Sequence, residues 1–408
     1  MRKVLKHPAT LLSVALAVQL ALAVFGATDP KHPMGDVLYA YKPWLDSMLG
    51  GGRWLGINAA WVYPFPVLAP LFLANLIWPF SYLGGWLTLA IASNMGALCW
   101  LVLRDRQSVS LGWYWLAATL ALGPISLSRV DGISVAIALV AVSALSRGST
   151  RLAAAWLTLA SWLKVWPIAI IAALWLAVRR RAWVALTAVI SSVVILAIGV
   201  VLGGNQELLS FVFTQGNRGI QIESIAAMPW MWLAAFGGEA SVYYDQVILT
   251  FQVSGAGTEF VGSLMTWLMA LSFAATAVLG WLGSKRGRPA GELLSLLSLA
   301  CTLELIVFNK VGSPQYLGWL ILPCLIGLLY RAARWRFVAV SVVVASALTQ
   351  LIYPVFYDDL LTLQFMPLLL LTVRNLLELA LWAWAVVRLS KLVFEEQPQQ
   401  VANHAVLD

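Results

Sequence analysis

The chain has 408 residues, of which 61% are hydrophobic and 11% charged, with a mean hydropathy of +0.84. A water-soluble domain carries roughly 25% charged residues, so this composition excludes a soluble enzyme and assigns most of the surface to lipid. The net charge of +8 fits the gathering of Lys and Arg on the cytoplasmic side of a membrane and makes no case for nucleic acid as a partner.

The apolar runs are long and recur to the end of the chain, the pattern of helices. A barrel shows alternating segments of about ten residues instead. The first run, about Pro8 to Phe25, follows Arg2, Lys3 and Lys6. It lacks a convincing small-x-small cleavage site and reads as a retained first helix. Cys99, Cys301 and Cys324 all lie in apolar runs without C-x-x-C spacing, and the three histidines are scattered. Neither a disulfide nor a metal site is expected.

Basic clusters recur at Arg2/Lys3/Lys6, Arg104/Arg106, Arg147/Arg151, Arg179–Arg181, Lys285/Arg286/Arg288, Arg331/Arg334/Arg336 and Arg388/Lys391. If all are cytoplasmic, neighbouring clusters are separated by an even number of crossings. The expected spans are 9–26, 82–103, 110–123, 132–146, 152–163, 167–178, 182–202, 259–282, 290–308, 316–330, 337–356 and 364–387. That is about twelve crossings with both termini cytoplasmic. The Pro-rich stretch 64–79 reads as a re-entrant or interfacial segment. In the first loop, Leu38, Tyr41, Leu45 and Met48/Leu49 recur near helical spacing, which predicts a short helix on the membrane surface. One transmembrane domain, 1–394, is expected, with extracytoplasmic loops at 27–81 and 203–258 and a polar tail at 395–408.

Several expected helices have only 12–15 residues, short of the roughly 20 that span a bilayer. They meet at polar elbows on the outer face: Gly123-Pro124, Lys164 to Pro167, and Asn309 to Pro314. Irregular backbone at membrane depth is tolerated where it is buried in protein or lines a wet cavity. Outside the cytoplasmic clusters the basic residues are Lys31, Lys42, Arg53, Arg129, Lys164, Arg218, Lys310 and Arg374. Arg129, Lys164, Arg218 and Lys310 fall at elbows or in the second loop. With Ser128, Asn217, Gln221, Ser313 and Gln315 they form a donor set suited to phosphate oxygens.

Of the acidic residues on this face, Asp131 stands two residues after Arg129 and is expected to pair with it, and Glu223 lies in the second loop. Asp36 has no cation at helical spacing; it is either a general base or the N-cap of the surface helix. Arg374 and Glu378, four apart, are expected to pair. Glu304 supports the Lys310 elbow or lines the pocket.

The segments MGDVLYAYKPWLDSMLGGG (34–52), VYPFPVLAPLF (62–72), SRVDGISVAIALVAVSAL (128–145), LASWLKVWPIAII (159–171), NRGIQIES (217–224) and NKVGSPQYLGWLILP (309–323) span most of the chain in order. Together they resemble glycosyltransferase family 87, polyprenyl-phosphate-mannose-dependent mannosyltransferases of the C-type membrane superfamily. The resemblance implies an all-α polytopic fold of that type. It implies transfer of mannose from a polyprenyl-phosphate donor to a cell-envelope glycolipid or polysaccharide, outside the cell membrane and with inversion. Asp36 matches the family's first-loop base. Arg129, Lys164, Arg218 and Lys310 would then bind the donor phosphate, and Asp131, Gln221, Glu223, Ser313, Gln315 and Tyr316 the sugar or acceptor. Where the family often has an acidic residue before Tyr63-Pro64, this chain has Val62. No cofactor is implied, and without a D-x-D pair no divalent metal is expected. A decaprenyl-phosphate-arabinose-dependent transferase shares this logic, and a lipid flippase or secondary transporter is the alternative of another class.

Overall fold

The computed structural model describes residues 7–104, 108–214, 218–246 and 248–395, with the side chains of 104 and 331–333 left out. Arg2, Lys3, Lys6, Arg106, Asn217, the Arg331 side chain and the tail beyond Glu395 therefore lie outside the described residues. The protein is mostly helical. Among the described residues seven helices are long and apolar enough to cross a bilayer: Pro8–Thr28, Tyr82–Leu103, Arg181–Val201, Thr258–Lys285, Ala290–Val307, Arg334–Val355 and Phe365–Phe394. This is the build of a polytopic membrane protein. Six further apolar helices have 10–17 residues, among them Val109–Leu122, Val130–Leu145 and Ile168–Ala177.

The described residues fall into two compact units, one within 7–171 and 180–214, the other within 172–179 and 218–395. In the first lie α1 (Pro8–Thr28), α2 (Lys42–Leu49), α3 (Leu68–Ile77), α4 (Tyr82–Arg104), α5 (Val109–Leu122), α6 (Ile125–Ser128), α7 (Val130–Leu145) and α8 (Thr150–Ser161). Helix α9 (Ile168–Ala177) begins in this unit and ends in the other, and α10 (Arg181–Val201) belongs to the first. Helix α7 is the centre, buried almost end to end and packed by α4 and α8. Its small residues Ser134, Ala138, Ala141 and Ser143 let neighbouring backbones come close. The Ser134 hydroxyl donates across to the Ala160 carbonyl at 3.1 Å.

The breaks fall where the chain chemistry demands. Helix α5 ends at Gly123, whose φ of +69° suits glycine, and Pro124 opens α6. Arg129 is extended (φ −127°, ψ 153°), so α6 and α7 are separate helices with Arg129 at the joint. Helix α8 stops before Trp162, and Pro167 precedes α9. The expected surface helix in the first loop is present as one turn of π-helix, Val37–Tyr41, running into α2. Val37, Tyr41, Leu45 and Met48 are its buried side chains. Val37 is buried in place of the expected Leu38, where the π-turn shifts the face, and of Met48/Leu49 it is Met48 that is buried while Leu49 is exposed.

The second unit holds α11 (Met228–Ala235), β1 (Ala240–Asp245), β2 (Thr250–Gly255), α12 (Thr258–Lys285), α13 (Ala290–Val307), α14 (Ile321–Gln350), α15 (Tyr357–Leu361) and α16 (Phe365–Phe394). Buried α13 is packed by α12, α14 and α16. Arg286 and Arg288 donate to the Val393 carbonyl, each at 2.9 Å, and so cap the C-terminal end of α16. The expected break at Arg331–Arg336 lies inside the α14 run. Trp335 nevertheless lies against Gly327, leaving no room there for a Cβ. Eight residues of straight helix would separate them by about 12 Å, so the run bends between them.

Among the described residues one two-stranded sheet accompanies the helices. Strands β1 and β2 pair as an antiparallel hairpin, with Ala240 opposite Gly255 and Asp245 opposite Thr250. Its sequence, ASVYYD and TFQVSG, is rich in the β-branched and aromatic residues that suit a pleated ribbon.

Candidate functional site

Two polar clusters, one in each unit, gather the site residues read from the sequence. In the first unit, Tyr41 packs on Trp86 with ring centroids 4.9 Å apart. Its hydroxyl accepts from the Val130 N–H at 3.3 Å, taking up one of the orphan amides at the start of α7. Burial raises the Tyr41 phenol well above its ordinary value, so it stays neutral. Trp86 donates to the Leu127 carbonyl at 2.9 Å and fixes α6. These contacts bring the π-turn that follows Asp36 up to the joint at Arg129.

At that joint Arg129 Nε lies 3.0 Å from Asp36 Oδ2, with the guanidinium 8% and the carboxylate 42% exposed. Lys164 Nζ lies 3.3 Å from Asp131 Oδ2 and 4.6 Å from the Tyr63 ring centroid. Asp36 has no cation at helical spacing, and its partner comes from far along the chain. It makes no side-chain cap on the helix it precedes. Asp131 meets a cation from the next elbow, Lys164.

In the second unit, residues 220–222 run alongside β2. The Val253 N–H donates to the Ile220 carbonyl at 2.9 Å and the Ile222 N–H to the Phe251 carbonyl at 3.2 Å. The Gln221 N–H donates to the Lys310 carbonyl at 2.9 Å. Gln221 Nε2 donates to Glu223 Oε2 at 3.1 Å, and its Oε1 accepts from the Gly312 N–H at 3.2 Å and the Ser313 hydroxyl at 3.5 Å. Gln221 therefore ties the NRGIQIES and SPQY segments together. Burial, with the nearby Arg218 guanidinium, lowers the Lys310 ammonium from its ordinary value. Tyr316 stacks on Trp319 at 3.9 Å, and Gln315 is half-buried in the same 3₁₀ helix, Pro314–Leu320.

Arg374 and Glu378 pair at 3.6 Å, as four-residue spacing implies. The sequence did not place Arg374 at the site, yet its Nη2 donates to the Glu223 carbonyl at 2.7 Å. Glu304 accepts from Ser272 and Thr276 of α12 at 2.7 and 2.6 Å. Of the other cations outside the basic clusters, Lys42 pairs with Asp46 at 2.6 Å and Arg53 donates to the Asn58 carbonyl. The hairpin that backs Gln221 was also missed, although the alternation in ASVYYD was its signal.

The first unit contains an apolar cavity of about 620 Å³, lined among others by Trp54, Phe65 and Phe72, by Ile195 and Ile198 of α10, and by Leu202 just after it. Trp54 and Phe72 stack there at 5.4 Å. Helix α10 presents Val193, Val194 and Val201 outward, as a lipid-facing helix does. No protein-family model matches the chain, and no curated protein matches it.

Proposed function

We propose that the protein is a C-type membrane glycosyltransferase with about twelve crossings. It transfers mannose from a polyprenyl-phosphate-mannose donor to a glycolipid or polysaccharide of the cell envelope, on the extracytoplasmic face. The observation that carries this reading is the half-exposed Asp36 carboxylate held 3.0 Å from a buried guanidinium, Arg129. A base must be reachable by the acceptor, and a cation must lie nearby for the departing phosphate.

In this reading Asp36 takes the proton of the acceptor hydroxyl. The acceptor oxygen bonds to sugar C1 from the face opposite the phosphate, and the bond from C1 to the phosphate oxygen breaks. Its electron pair leaves with the polyprenyl phosphate, so a β-linked donor gives an α-linked product. One carboxylate suffices, unlike the pair used by most glycosidases. Arg129 and Lys164 offset the growing charge on the leaving group. Arg218 and Lys310 supply a second pair of cations suited to anionic oxygens, and Gln221, Glu223 and Ser313 supply groups that read sugar hydroxyls. The apolar cavity suits a prenyl chain, since its walls are almost wholly hydrocarbon and aromatic.

The test is transfer of labelled mannose from polyprenyl phosphomannose in membranes carrying wild type or Asp36→Asn. Transfer by the wild type, lost in the variant at equal expression, is the expected result. Transfer with the arabinose donor alone favours the arabinosyl reading. Substrate crossing the bilayer with no new glycosidic bond favours a transporter.

A further inference from the structure

We propose that Arg374, inside α16, is a positioning residue that fixes the Glu223 peptide and, through it, the Glu223 and Gln221 side chains. The inference rests on the glycosyltransferase reading for the role of those two side chains, and on geometry alone for the clamp.

Arg374 lies about 14 Å along α16 from its first residue, with its side chain 3% exposed. Its Nη2 donates to the Glu223 carbonyl at 2.7 Å, and the neighbouring Asn375 amide reaches the same oxygen at 3.5 Å. A carbonyl oxygen has two lone pairs and accepts both. The charged donor makes the stronger bond of the two. The Glu223 peptide also meets Gly312, where a Cβ would collide with the Glu223 carbonyl group and the Ser224 nitrogen. Gly312 and the guanidinium thus both bear on one peptide. Glu223 in turn accepts from Gln221, and Gln221 from Gly312 and Ser313.

Stability alone is a poor reason for this arrangement. A buried Arg–Glu pair replaced by well-packed apolar residues is often neutral or stabilising. Charges at membrane depth are rare and usually serve function. What the guanidinium supplies, and an apolar side chain cannot, is a fixed charged donor to the Glu223 carbonyl. Glu378, 3.6 Å away, neutralises it without competing for that carbonyl.

The test uses the full-length protein in detergent or nanodiscs. Arg374→Met alone leaves Glu378 buried without its partner and invites misfolding, so the main variant is Arg374→Met/Glu378→Leu, with Arg374→Lys beside it. The first readout is amide exchange at Gln221, Ile222 and Ser224, with the α13 amides as the control for folding in the same unit. Exchange at the three positions should quicken at least about tenfold in the double variant, less in Arg374→Lys, with α13 unchanged. Unchanged exchange at the three positions overturns the clamp.

The second readout is a cycle with Glu223→Gln. If Arg374 acts through Glu223, the double variant lowers kcat about 100-fold with little change in donor KM. Adding Glu223→Gln then lowers it little further. Additive losses overturn the proposal. A wild type that transfers no sugar from either donor refutes the glycosyltransferase reading, and the exchange result still decides the clamp.

Discussion

Arg129 Nε lies 3.0 Å from Asp36 Oδ2, so the proposed base and a cation assigned to the leaving phosphate are already partners before any donor arrives. A donor phosphate must compete with the Asp36 carboxylate for this guanidinium. Asp36→Asn removes the competitor together with the base. Transfer should fall about 1,000-fold, while donor affinity should tighten about fivefold, the equivalent of about 1 kcal/mol. Tryptophan fluorescence titrated with donor measures the second effect. Weaker binding in the variant would show that Asp36 holds the donor rather than competing with it.

Lys310 offers a pH test. Burial, and then Arg218, lower its ammonium from the ordinary lysine value. Between the lowered and ordinary values the unfolded chain holds more protons than the folded one. Through that alkaline window this group's contribution to stability therefore rises with pH. Anion binding moves the other way, because the charge is lost as pH climbs through the lowered value. Donor affinity should thus fall on the alkaline side earlier than a solvated lysine would dictate. Arg218→Gln should shift that limb to higher pH, and Lys310→Arg should abolish it. A limb unmoved by either substitution assigns the titration to another group.

The helices and their breaks were legible because their causes are local. Gly123-Pro124 and Pro167 end or open helices by backbone chemistry alone. Charge partners from distant segments were not legible, because they depend on which segments the fold brings together. Nothing in the local sequence tells that Asp131 meets Lys164, which comes from the next elbow. Asp36 and Arg129 meet because the Tyr41 hydroxyl binds the Val130 amide, a contact with no sequence pattern. Arg374 carried a signal, a charge inside an apolar helix. Its four-residue spacing from Glu378 accounted for the charge and hid the second contact to Glu223.

Gly312 should not tolerate a side chain. A Cβ there enters the Glu223–Ser224 backbone, which is main chain and cannot move aside as a flexible side chain would. Gly312→Ala should cost about 1–3 kcal/mol of local stability. It should speed exchange at the same amides that the Arg374 variants release. A melting profile and exchange pattern equal to wild type would mean that the two segments are not in backbone contact.

Sidedness can be read with single cysteines in a background lacking Cys99, Cys301 and Cys324. Ser128 and Ser224 are unsuitable because both are buried. Ser47 and Ser241 are exposed on the first loop and on β1, and Lys285 is exposed at the end of α12. Ser47→Cys and Ser241→Cys should react with an impermeant thiol reagent in intact cells. Lys285→Cys should react after the membrane is opened. The reverse pattern would place the Asp36 cluster on the cytoplasmic face.

The apolar cavity gives the sharpest distinction between a lipid-linked donor and a soluble one. Its α10 wall can be filled by Ile198→Trp without touching the Asp36 cluster. If a prenyl chain occupies the space, the larger ring excludes part of it. Each buried CH₂ displaced is worth about 0.8 kcal/mol, so loss of two or three raises donor KM about 15- to 60-fold. A donor truncated to one or two prenyl units does not fill the cavity and should be used equally by wild type and variant. If the long donor also tolerates Ile198→Trp, its chain lies along the lipid face of the protein. The cavity then has no part in selecting the substrate.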